Sequence, residues 1–70
     1  MQDDMNYEIR LDNNLDEKWS TYFQPFTVTP CGDMTILTGS LHDQAELFGI
    51  LLKIRDLGLK LVSVNPILRL

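Results

Sequence analysis

Apolar and polar residues alternate with a period of two over Tyr7-Glu8-Ile9-Arg10-Leu11, which sends Tyr7, Ile9 and Leu11 to one face and Glu8 and Arg10 to the other. This predicts a half-buried strand. The period then lengthens. Leu15, Trp19, Tyr22 and Phe23 recur at helical spacing after the Asp12-Asn13-Asn14 cluster, so a short helix is expected, capped by Asn14 with Glu17 or by Asp16 alone. Gln24-Pro25 ends it, because the residue before proline avoids the α region. Trp19 is its expected anchor.

Alternation resumes in Phe26-Thr27-Val28-Thr29 and in Met34-Thr35-Ile36-Leu37-Thr38, on either side of Pro30-Cys31-Gly32-Asp33. That is a β-hairpin with a loop of three to four residues. Gly39-Ser40 is expected to break the second strand. From Asp43 the helical period returns, with Leu47, Ile50, Leu51, Ile54 and Leu57 on one stripe. Asp43 and Glu46 have capping-box spacing, and Gly58 fits the left-handed residue after a helix. Leu59 to Val64 is β-branched and apolar, a last strand that Asn65-Pro66 stops. Its inward set is either Val62 and Val64 or Leu59 and Leu61; periodicity leaves both open.

The order β-α-β-β-α-β, with two right-handed crossovers, predicts an α+β ferredoxin-like domain. Its sheet is antiparallel in the spatial order 4-1-3-2, with both helices on one face. The 70 residues make one small domain. Met1–Asp4 is expected to be a frayed, solvated end.

The chain resembles a group of short bacterial proteins without an assigned activity. The shared features are an early Y-E-I-R strand (Tyr7–Arg10), a short tryptophan-bearing helix (Trp19), a T-x-T hairpin strand (Thr27–Thr29) and a D-Q-A-x-L-x-G-x-L-x-x-I-R-D-L-G-L motif (Asp43–Leu59). That group often has histidine where this chain has Phe48. The resemblance implies no activity, and no functional residue carries over from it.

Charge narrows the partners. The net charge is −4, with seven acids against two bases up to Thr35 and three acids against four bases from Ile36 onward. An acidic chain is repelled by phosphate backbones, so nucleic-acid binding is not expected. No apolar run reaches the length of a membrane span, and Met1 to Met5 lacks a signal peptide's basic start, so a cytoplasmic location is expected. Cys31 and His42 are each the sole residue of their type, which leaves no internal disulfide and no zinc-ligand set. No metal or cofactor is expected.

Candidate chemistry is sparse. His42 beside Asp43 is more simply a solvent-facing residue before a helix cap than a general base. Cys31 sits between Pro30 and Gly32 with Asp33 nearby, without a basic neighbour, and is an incidental turn residue. Asp3-Asp4 and Asp12–Glu17 lack the spacing of a calcium loop. No acid, base and nucleophile set can be assembled, so the chain is not expected to be an enzyme.

The second helix carries the better signal. Phe48 and Leu52 lie to one side of its core stripe, with Ala45 and Gly49 beside them. A glycine inside a helix costs roughly 1 kcal/mol relative to alanine, so a close neighbour is expected there. That neighbour is either the first helix, with Trp19 or Phe23 over Gly49, or a second protein chain. Ile67, Leu68 and Leu70 add an apolar tail. The leading expectation is a small non-enzymatic domain that self-associates, as a homodimer, or binds another protein through Ala45, Phe48, Gly49, Leu52, Ile67, Leu68 and Leu70. The alternative is an ACT-like regulatory domain that senses a small molecule at a dimer interface, an analogy at the level of fold.

Overall fold

A computed structural model describes residues 5–24 and 26–67. The Met1–Asp4 end, Pro25, and Leu68 and Leu70 of the apolar tail lie outside the described residues. The strands are β1 (Met5–Leu11), β2 (Thr27–Cys31), β3 (Met34–Leu41) and β4 (Leu61–Ile67), and a single α-helix, α1 (Gln44–Asp56), joins β3 to β4. The sheet order is β2-β3-β1-β4, and every neighbouring pair is antiparallel. This is the expected strand order.

The first crossover departs from expectation. Where a helix over Leu15–Phe23 was predicted, there is only a four-residue 3₁₀ turn, Glu17–Ser20. The expected two-helix ferredoxin-like layout is corrected to a sheet with one α-helix. Asp16 does cap the turn, its carboxylate accepting from the Lys18 amide. The physical reason is length and composition. Fewer than a dozen residues do not recover the cost of helix nucleation in water, and Trp19, Ser20, Thr21, Tyr22 and Phe23 are all weak helix formers. The segment is held by side chains instead. Leu15 and Phe23 are buried in the core, and Trp19 packs against it half-buried. Phe23, rather than Trp19, is the deepest anchor.

The core lies between one sheet face and the layer formed by α1 and the 3₁₀ segment. Ile9, Leu11, Val28, Leu37 and Leu41 point inward from the strands, and Ile50 and Ile54 come down from α1. Thr35 is the one buried polar residue among them.

The hairpin is tighter than expected. Cys31 pairs with Met34, which leaves a two-residue loop, Gly32-Asp33. Gly32 has φ 62° and Asp33 is not in the left-handed region. Positive φ at the first loop residue alone is the type II′ pattern, whose twist suits a hairpin. Pro30 therefore lies within β2, which it can do because β2 is an edge.

Gly39 does not break β3. The strand runs through it to Leu41. A Cβ built on Gly39 would lie 2.9 Å from ring atoms of Phe26 and 3.1 Å from the Phe26 Cα. The glycine makes room for a buried aromatic on the inner face, one recognised reason for glycine inside a strand.

Both readings of the last strand prove partly right. Ile9 pairs with Val64 while Leu11 pairs with Leu61, so two residues of β1 face three of β4. That bulge places Leu61 and Val64 on the same inner face despite their odd separation, with Val62 as the extra residue. Val62 is 52% exposed, contrary to the expected inward placement, and Leu59 packs on the core. Pro66 does not end β4, which continues to Ile67; as an edge residue it needs no outward partner.

Helix α1 matches its sequence signals. The Asp43 carboxylate accepts from the Glu46 amide, and Glu46 Oε1 accepts from the His42 amide. At the other end Gly58 has φ 71°. Gly58 N–H donates to the Arg55 carbonyl and Leu59 N–H to the Ile54 carbonyl. These two bonds are the Schellman pair, accompanied by burial of Ile54 against Leu59.

Candidate functional site

Helix α1 is set onto the sheet by a narrow stripe. Ile50 and Ile54 are buried, and Leu47 and Leu51 are half-buried beside them. At about 100° per residue, Lys53 and Leu51 fall on opposite sides of that stripe. The Lys53 side meets the first crossover. Lys53 Nζ donates to the Tyr22 carbonyl at 3.0 Å and lies 5.1 Å from the centroid of the Tyr22 ring. The Tyr22 ring stands edge-on to both Trp19 and Phe23. The 3₁₀ segment packs on β2, so the Leu51 side of α1 is turned towards the opposite edge, β4.

Continuing round from Leu51, the helix presents Phe48 and Leu52, which are 57% and 48% exposed. Ala45 and Gly49 are exposed next to them. A Cβ on Gly49 would meet nothing within 4 Å. The expected packing of Trp19 or Phe23 over Gly49 is therefore absent; both aromatics sit on the Lys53 side of the helix. Within the described chain the Ala45–Phe48–Gly49–Leu52 surface has no cover.

Ile67 does not join this surface. It pairs with Asn6, whose neighbours Tyr7 and Ile9 alternate inward, so Ile67 and Asn6 lie on the sheet face opposite α1. That open face is mostly polar: Thr27, Thr29, Thr38, Ser40, Ser63 and Asn65 surround a Glu8–Arg10 ion pair at 3.0 Å. A polar outer face is the ordinary condition of an antiparallel sheet covered on one side.

Sequence reasoning missed Leu61 and Val62. They are 45% and 52% exposed at the β4 edge. The available signal was the absence of any charge from Leu61 to Ile67.

The residues considered for chemistry stay apart. Cys31 is exposed at the hairpin. His42 and Asp43 line a hollow of about 290 Å³ with Met5, Tyr7, Leu41 and Gln44. There the helix N-terminus is already occupied by the Asp43 and Glu46 carboxylates, which leaves little attraction for an anion. Among the described residues no group of three His, Cys, Asp or Glu side chains comes together to hold a metal ion. No described helix is long and apolar enough to cross a membrane.

Fold and surface together define a small α+β domain, one helix on a four-stranded antiparallel sheet, with an uncovered apolar flank on the helix. The chain belongs to the family described as "Domain of unknown function (DUF8691)", whose sequence model matches residues 6–65. No curated protein and no solved structure matches it.

Proposed function

We propose that this chain is a non-enzymatic protein-interaction domain whose contact surface is the outer flank of α1. The observation that carries the reading is the exposure of Phe48 and Leu52 four residues apart on one helix face, with nothing over Gly49 between them. Two large apolar side chains held about half exposed side by side forgo roughly 1 kcal/mol each of burial energy. A contiguous patch of this kind commonly marks an interface. The absence, among the described residues, of a nucleophile beside His42 and Asp43, with Cys31 exposed at the distant hairpin, supports a role in binding over one in catalysis. The strand order supports a ferredoxin-like arrangement in which a 3₁₀ turn stands where the first helix would be.

The test uses Leu52→Glu and Phe48→Glu. Both sites are exposed, so each variant keeps the melting temperature of the parent chain to within a few degrees, and each loses whatever association the parent shows. A large loss of stability would place these residues in the core and remove the surface. Association unchanged in both variants would equally end the reading.

A further inference from the structure

We draw no further inference here: the strongest candidate, the uncovered apolar flank of α1 formed by Ala45, Phe48, Gly49 and Leu52, belongs to the surface already proposed for interaction, and nothing in the structure shows what covers it.

Discussion

The hydroxyl of Thr35 donates to the carbonyl of Asn13 at 2.7 Å, and the same oxygen accepts the Leu15 amide at 3.0 Å. Thr35 is wholly buried on β3, so one side chain satisfies both a donor and an acceptor of the loop that leaves β1. Asn13 extends the link. Its Oδ1 accepts the Lys60 amide at 2.7 Å, and the Lys60 carbonyl accepts the Asp12 amide at 2.8 Å. Three separate parts of the chain are thereby joined at one end of the sheet: the loop after β1, the middle of the hairpin and the start of β4.

Thr35→Val keeps the shape of the side chain and removes the hydroxyl. The Leu15 amide and the Asn13 carbonyl then lose their partner in a buried setting. Each such group costs about 1–3 kcal/mol, so the variant is expected to lose about 2–4 kcal/mol in urea unfolding. A change below about 0.5 kcal/mol, the usual range for an inconsequential surface substitution, would show that water replaces the hydroxyl at no cost.

Phe23 and Trp19 should separate clearly. Phe23 is fully buried, whereas Trp19 is half-buried against the same core. Phe23→Ala should cost about 3–5 kcal/mol, enough to unfold much of a small domain, and Trp19→Ala distinctly less. Thermal melts of the two variants decide it; equal losses would place Trp19 as deep as Phe23.

Substitution of Gly39 and of Gly49 by alanine should have opposite signs. At Gly39 the new Cβ meets Phe26 at 2.9 Å, including its backbone Cα at 3.1 Å, and the strand must shift. At Gly49 it meets nothing, and the helix gains roughly 1 kcal/mol of intrinsic propensity. Melting temperatures measured at high dilution, where no partner contributes, should fall for Gly39→Ala and rise for Gly49→Ala. A stabilised Gly39→Ala would refute the close packing of Phe26.

Gly58→Val should destabilise through the backbone. The residue has φ 71° and open space around it, so the cost is conformational and not steric against a neighbour. Left-handed geometry costs an ordinary side chain roughly 1–2 kcal/mol, and a β-branched one more. Chemical unfolding should show at least that loss, with Gly58→Asn milder than Gly58→Val. An unaffected valine variant would mean that the helix end can be rebuilt without the Schellman bonds.

The sequence by itself determined every feature whose cause lies within a few residues of chain. The Asp43–Glu46 cap, the Gly58 stop, the alternation of Tyr7–Leu11 and the turn at Gly32 depend on local groups, and local chemistry decided them. It also determined the strand order, because two crossovers and a hairpin leave few ways to complete an antiparallel sheet. The exposed flank of α1 was legible from helical spacing. That the first crossover leaves it bare was not, since Trp19 and Phe23 lie to the Lys53 side for reasons set by Tyr22 and the sheet beneath. Tertiary structure alone decided the rest. The Leu15–Phe23 segment has helical spacing but lacks the length to form a helix, and its burial holds it as a single turn. Gly39 looked like a strand breaker until Phe26 was seen to need its space. The bulge at Val62 shifted the parity of β4, so that Leu61, still 45% exposed at the edge, and the core-packed Val64 fall on the same face across β1. Thr35 gave no sign in the alternating hairpin, because its partners Asn13 and Leu15 lie 22 and 20 residues away. Such contacts depend on which groups the fold brings together in a buried place, and no pattern along the chain encodes that meeting.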